Sequence, residues 1–537
     1  MSILRPTPKF VCNTKISVHH WQLLDLLHYE SATNRLYYTK VDEIRRLEIC
    51  QNQARSERHF ELKYLPKCSN VASNGVTVTG GVLQPNSAVS QSFESLEMPT
   101  ALEPGKCCKI QRPRSSNQGL FSYYSPETGA HTTVKLGEMI NNDVKIYDSN
   151  SSQFSAYACN NDSFLYCMDV NNSSQISVTA KINCELNTCL NNVIRNPMCH
   201  RLLTVSGDTS SIFMVDPSSP QPVIKTIDSK HDSGFGIAYH NSGTMFSSVF
   251  QDGSCLIYDI RNLSGKLAEI RSTRPGISAG ALRLCKFSPG NTQDDLLVLS
   301  EHAGRVHLVD MRHVTDEKHE SHQVIVLPGA LEQYADFMVQ NKRRVEKLRG
   351  DDDAMSELNA DVSVHDVLTL YNDQIRNYPS FSAPLVYCYD YLINENPQLF
   401  KNYYYQPPPP PPAPHSVPPR FKSPQWSSTT QAHVDDPAVA PKDQGLSWQS
   451  SLETDVFEEE DEEKDDEKLF ASYVFHERSY STTSADNLDG EMLIAGLEYY
   501  CPPNEGGRIV VGTKSAGLIA WEVNAIARRG ISDASLV

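Results

Sequence analysis

LLTVSGDTSSIFMVD (residues 202–216), MFSSVFQDGSCLIYD (245–259), LLVLSEHAGRVHLVD (296–310) and RIVVGTKSAGLIAWE (508–522) are four copies of one pattern. Each is an apolar β-rich run, a short turn of Gly, Ser, Asp or Ala, and a second β-rich run that closes on an acid. A fainter copy, FSAYACNNDSFLYCMD (154–169), precedes them. The acidic ends Asp169, Asp216, Asp259, Asp310 and Glu522 stand 47, 43, 51 and then 212 residues apart. Short β-rich runs joined by tight turns pair as hairpins. A unit of this kind recurring every ~40–45 residues is the period of a four-stranded propeller blade. The expected fold is all-β, a single seven-bladed β-propeller with long, partly disordered loop insertions.

Working outward from the copies, residues 21–49 read as one blade, and a second begins near His59 with HFELKYL. Residues 69–118, rich in Ser, Asn, Gln, Pro and Gly, read as a disordered insertion before that blade resumes at 119–136. A third unit covers 141–170, and those ending at Asp216, Asp259 and Asp310 bring the number to six before Pro328. From 329 to 490 the pattern stops. Residues 331–349 have the period of an amphipathic helix, with Leu331, Tyr334, Phe337 or Met338, and Val345 or Leu348 on one side. DVLTLYNDQI (366–375) and APLVYCYDYLI (383–393) are short runs able to add local structure. Most of residues 403–484 reads as disordered: the proline run lacks backbone donors, and residues 458–467 hold nine acids in ten. The last blade, 491–524, supplies three strands and is followed by a tail, 525–537. Its fourth strand is expected from residues 10–18, so that the two chain ends close the ring over 10–328 and 491–524.

Hydrophobic residues make up 39% and charged residues 21%, which permits a substantial core. A net charge of −17 speaks against a general role on nucleic acid or anionic lipid, which need clustered Lys and Arg. No run approaches the ~18 apolar residues of a membrane span, and MSILRPTPKFVCNTK lacks a secretory apolar stretch, so the expected location is cytoplasm or nucleus. The 14 cysteines include no C-x-x-C pair, so neither zinc nor a disulfide framework is expected, and no cofactor.

The paired runs resemble WD repeats, with the signature dipeptide altered to Val215-Asp216, Tyr258-Asp259, Val309-Asp310 and Trp521-Glu522. ALRLCKFSPGNTQDDLLVLSEHAGRVHLVDMRH (281–313) also resembles a block in a mostly uncharacterised family of fungal WD-repeat proteins. That resemblance implies a WD-type, non-enzymatic propeller, and a link to substrate receptors of the GID-type ubiquitin ligase. Asp259 with Arg261, and Asp310 with Arg312, form twin acid-x-Arg boxes at the ends of equivalent strands. Such boxes are similar to those of cullin-RING substrate receptors, where the arginine meets the ligase adaptor; the plainer reading ties the turn within each blade. An exposed guanidinium there offers a planar fork of donors.

Pro407, Pro408, Pro409, Pro410, Pro411 and Pro412 can form a polyproline rod that fits the aromatic grooves of SH3, WW or profilin-type partners, or acts as a stiff spacer. The acidic run reads as a solvated segment, with a handle for a basic partner as the alternative, and Lys342, Arg343, Arg344, Lys347 and Arg349 as a solvated helix face, with an import signal or acidic-partner patch as the alternative. No H-E-x-x-H and no G-x-x-x-x-G-K-[ST] string occurs, and His19, His20, His302 and His307 read as structural. The expected function is a non-enzymatic scaffold, most concretely a substrate-recruiting subunit or adaptor of a ubiquitin ligase. Its partners would be ligase subunits and a degron-bearing substrate held in a deep polar central pocket. The alternatives are a general scaffold in a cytosolic signalling or trafficking complex and, with least support, a propeller hydrolase. A phosphoinositide-binding propeller would carry an F-R-R-G box, which is absent.

Overall fold

The computed structural model describes residues 3–83, 94–95, 119–327, 385–393 and 492–524, apart from short gaps within those ranges. Seven sheets, each with at least four strands, make the seven blades. Blade 1 is β2 (Leu27–Glu30), β3 (Arg35–Lys40), β4 (Glu43–Cys50) and β5 (Gln53–Glu61). Blade 2 is β6 (Leu65–Val71), β7 (Thr77–Val82), β9 (Leu120–Tyr124) and β10 (His131–Lys135), with the two-residue β8 (Glu94–Ser95) outside it. Blade 3 is β11 (Asn141–Asn150), β12 (Gln153–Asn160), β13 (Phe164–Asn171) and β14 (Ile176–Asn183). Blade 4 is β15 (Leu190–Arg195), β16 (Leu203–Gly207), β17 (Ser211–Val215) and β18 (Val223–Asp228). Blade 5 is β19 (Gly234–Tyr239), β20 (Met245–Phe250), β21 (Ser254–Asp259) and β22 (Ala268–Arg271). Blade 6 is β23 (Leu282–Phe287), β24 (Leu296–Glu301), β25 (Arg305–Asp310) and β26 (His322–Val326), extended by β27 (Leu385–Cys388).

Blade 7 joins both ends of the chain: β28 (Ile494–Tyr500), β29 (Arg508–Thr513), β30 (Leu518–Glu522) and, outermost, β1 (Lys9–Val11). Phe10 pairs with Ile519, and Leu4 adds a bridge to Val523. The inner strands touch in chain order round the ring, and β28 meets β2. The four quoted copies are the second and third strands of blades 4, 5, 6 and 7, the hairpin buried on both faces. Their apolar residues therefore sit between adjacent sheets, where Val298, Leu308 and Ile325 of blade 6 pack with Ile494, Ile509 and Trp521 of blade 7.

The structure departs from the sequence reading at three places. Residues 69–118 are not wholly an insertion, because β6 and β7 occupy their start. The glycines that suggested a loop are there for close packing: a Cβ on Gly81 would lie 2.2 Å from the Leu65 carbonyl, and one on Gly80 2.7 Å from the Cys68 sulfur. HFELKYL does not open blade 2 but is divided, His59 to Glu61 ending β5 before blade 2 starts at Leu65. Within residues 10–18 only Phe10 and Val11 belong to the closing strand; Ile16 and Ser17 instead bond to Thr513 and Thr39 of blades 7 and 1. The expected helix at 331–349, the proline run, the acidic run and the tail lie outside the described residues.

Candidate functional site

Antiparallel pairing fixes which strand ends meet on each face of the ring. Gly234, the first residue of β19, lies opposite Phe250, the last of β20, and Met245 opposite Asp259, the last of β21. The starts of the inner strands therefore gather on one face, and the ends of the inner and third strands on the other. On the first face six of the seven inner strands bulge at the same place, at Lys67, Asn142, Asn191, Phe235, Arg283 and Ala495. A bulge re-aims a side chain, and all of these except Ala495 line the central cavity. The residue across the ladder just beyond the bulge is small in five of them: Gly80, Cys159, Ser206, Ser300 and Gly512. The bent backbone needs that space.

The chain's own N-terminal segment roofs this mouth. Ile16 N–H donates to the Thr513 carbonyl (3.2 Å), Ser17 N–H to that of Thr39 (3.1 Å), and the Lys67 ammonium to that of His19. The segment then drops Asp25 between Lys145 of β11 and Lys286 of β23, at 3.2 Å from each. Lys145 also meets Asp143 at 3.1 Å, and Lys286 meets Glu498 at 3.5 Å. Burial pushes the Asp25 carboxyl up, but Lys286 and Lys145 outweigh it and hold the group below the usual carboxylate range. Burial likewise opposes the charge on Lys145, and Asp143 and Asp25 together hold its affinity for the proton above normal. Asp143 and Glu498 are raised by burial. A buried charge that loses its partner costs more than the pair contributes. Lys145→Met is therefore expected to lower stability by roughly 3–5 kcal/mol, read as a urea midpoint. Adding Asp143→Asn should recover part of it, and a single variant as stable as the parent would remove this ionic account.

Below Asp25 the channel holds a cavity of about 470 Å³ whose wall reaches the ends of the inner strands at the opposite face. Inter-blade bonds at its wall set its shape: Ile146 N–H donates to Asn70 Oδ1 (3.1 Å), Val193 N–H to Asp143 Oδ2 (3.0 Å) and Ile237 N–H to Asn192 Oδ1 (3.0 Å). Arg195 lays its guanidinium on the Tyr147 ring (4.2 Å), and the Tyr147 hydroxyl accepts the Arg195 N–H (3.1 Å). Glu30 is buried and accepts the Asn74 N–H (2.7 Å) and the hydroxyls of Thr33 and Tyr37. Asp148 accepts the Ser73 hydroxyl (2.5 Å). Among the described residues no opposite charge pairs with Arg195, Glu30 or Asp148. The open mouth thus offers a stacked cation, two carboxylates and several hydroxyls, a set suited to the amides, carbonyls and charged groups of an extended peptide.

The twin boxes lie on this same face but outside the cavity. Arg261 closes a fork on its own Asp259, Nε at 2.9 Å and Nη2 at 2.5 Å, and Arg312 does the same on Asp310 at the same two distances. The two arginine side chains are 71% and 40% exposed. The geometry is that of the turn tie. Pro407 to Pro412 lie outside the described residues. His307 is wholly buried, Nε2 on Glu301 at 2.9 Å and Nδ1 on His322 at 2.9 Å. Residues 276–280 read GISAG, a G-x-S-x-G string, but Ser278 is exposed in a three-residue 3₁₀ turn between β22 and β23 rather than at a strand-to-helix elbow. Among the described residues no three His, Cys, Asp or Glu are grouped to hold a metal.

Sequence reasoning missed Asp25, Lys145, Lys286, Glu30 and Arg195, which no short spacing connects. The polar pairs Asn141-Asn142 and Asn191-Asn192 at the start of apolar strands were the available signal for the bulges.

Residues 280–326, which span blade 6, match an uncharacterised protein domain, DUF2415. The chain is 29% identical over 412 residues to the uncharacterized protein YLR149C of Saccharomyces cerevisiae, covering 59% of this chain and 54% of that protein. It is 28% identical over 279 residues to the uncharacterized protein C4G3.03 of Schizosaccharomyces pombe, covering 49% and 75%. The match thus spans about half the length of the first relative. Among solved structures the chain is similar to the WD40 β-propeller domain of Doa1, with a TM-score of 0.38 and 9% identity over 58% of this chain and 83% of that one.

Proposed function

We propose that this chain is a non-enzymatic interaction scaffold of the cytosol or nucleus, most concretely the substrate-recruiting subunit or adaptor of a ubiquitin ligase. Propellers of this kind generally serve as platforms for other proteins. The observation that carries the reading is the 470 Å³ cavity, roofed on the bulge side and lined by Arg195, Glu30 and Asp148 toward the other. A client segment held there stays at high effective concentration beside whatever docks on the same ring. Arg261 and Arg312 are proposed as the docking contacts on that face, each exchanging part of its fork for the adaptor, and the polyproline run as a second handle.

The test is purification of the intact chain from its native cells under crosslinking, beside a variant lacking residues 403–484 and one carrying Arg195→Glu. Ligase subunits are expected with all three, and the client is expected to be lost from Arg195→Glu alone. A set of partners without ligase subunits would remove the ligase reading and leave the general scaffold.

A further inference from the structure

We infer that the outer edge of blade 6 is a docking site for a partner-protein segment made of a short strand followed by a helical turn with an aromatic and an aliphatic anchor, and that residues 385–393 of this chain occupy it as an internal stand-in. This inference is independent of the central cavity. β23 to β26 already make a complete four-stranded blade, so β27 is not part of the repeat. It comes from the insertion, reached from β26 through residues 328–384 and leading to β28 through 394–491.

The mode is strand addition. Leu385 to Cys388 pair antiparallel with Val326 to Gln323, four positions in all. Main-chain bonds of this kind give affinity to any extended segment, and side-chain pockets choose among them. Two anchors make the choice here. Tyr389 stacks on His322 with ring centroids 4.2 Å apart and planes 9° apart, and Leu392, 4% exposed, packs with Val324 and Val326. His322 in turn is hydrogen-bonded to His307, His307 to Glu301, and Glu301 to Arg274 at 2.7 Å, all buried. That chain fixes the stacking surface from inside the blade, so the platform does not depend on β27 for its shape.

The internal segment also leaves room. A cavity of about 320 Å³ lies between Tyr389 and His322 on one side and Glu269, Ile270 and Arg271 of β22 on the other. A partner with a larger group at that point fills space that residues 385–393 do not. The favoured partner segment is a short strand that runs into a helical turn, with an aromatic residue over His322 and an aliphatic one three residues later, the aromatic or a neighbour lying against the Glu269–Arg271 ion pair (2.9 Å). Such a segment displaces the internal one when its added contacts exceed the advantage of tethering.

The probe is a fluorescein-labelled peptide of residues 385–393 with Cys388→Ser, titrated by anisotropy against the full chain and against a full-chain Tyr389→Ala, Leu392→Ala variant. The variant removes both anchors without touching blade 6, which leaves the tethered segment only its four strand pairs. It is expected to bind the peptide at least tenfold more tightly than the parent, and a Tyr389→Ala peptide at least tenfold more weakly. A second variant with residues 385–393 replaced by a Gly-Ser segment of equal length serves if the first does not keep the parent's far-UV spectrum and unfolding midpoint. A variant that is folded, monomeric and unable to bind the peptide would overturn the inference. So would a variant that dimerises on its own, since the occupant would then be the edge of a second copy.

Discussion

Between pH 7.5 and pH 5 the ring is expected to lose much of its stability through its histidines. Six of the described histidines are held toward the neutral form by the fold, His131 among them. Burial, reinforced by nearby cations, lowers His19, His20 and His59 to about 4 and His28 and His302 to about 3, from an ordinary 6.5. Lys67 stands by His19 and His20, Arg283 by His20 and His302, Lys286 and Lys145 by His28, and Arg46 by His59. Asp25 at His28, and hydrogen bonds to Val41 at His19, Gly75 at His59 and Ser69 at His28, oppose the trend without reversing it. A folded value below the unfolded one means that the unfolded chain takes up protons first. Stability is then whole above pH 6.5 and falls as the pH drops from there toward 4 and 3. At pH 5 each such group costs about 2 kcal/mol, and five together cost on the order of 5–10 kcal/mol, comparable to the whole stability of a typical domain. Urea midpoints across this range read the effect, and His59→Gln should reduce the slope by about one proton. A flat profile from pH 7.5 to 5 would show that these rings are not held neutral.

Removal of residues 1–18 is expected to be comparably severe. It takes away β1, bares the Leu518–Glu522 edge, and deletes Ile3, Leu4 and Ile16, which are 5%, 1% and 1% exposed. Ile16 fills the space over Gly512, where a Cβ would lie 2.3 Å from its Cδ1. Three buried aliphatic side chains at 1.5–3 kcal/mol each amount to roughly 5–9 kcal/mol, before the lost ladder bonds. Blades are stabilised chiefly by their neighbours, so the loss should spread round the ring as a lower, broader thermal transition. An unchanged melting curve would mean that blade 7 is closed by something other than the chain's start.

The blade period was legible because the second and third strands of blades 4 to 7 are buried on both faces and joined by short turns, which leaves an unbroken apolar signal. β6 and β7 were illegible for the opposite reason. Cys68, Gly80 and Gly81 pack so closely that the strands carry small and polar residues, which read as loop. The open mouth was illegible in another way: Glu30, Tyr147 and Arg195 meet only because three blades converge on one axis, and no local pattern encodes convergence. The twin acid-x-Arg boxes were found readily, being local. Their geometry shows each arginine spent mainly on its own aspartate.

Closure by β1 also sets a timetable. Val11 leaves the ribosome about 500 residues before Leu518, the partner it pairs with. At ~5–20 residues per second that is a wait of roughly 25–100 s. For all of that time Lys9 to Val11 have no partner strand, while the strap behind them already finds Thr39 and Lys67 on blades 1 and 2 and blades 1 to 6 stack one upon the next. Birth of the molecule is therefore sequential for six blades and simultaneous for the last. A ribosome stalled anywhere in the insertion leaves an open crescent with two bare ends, the form in which this chain most needs a chaperone.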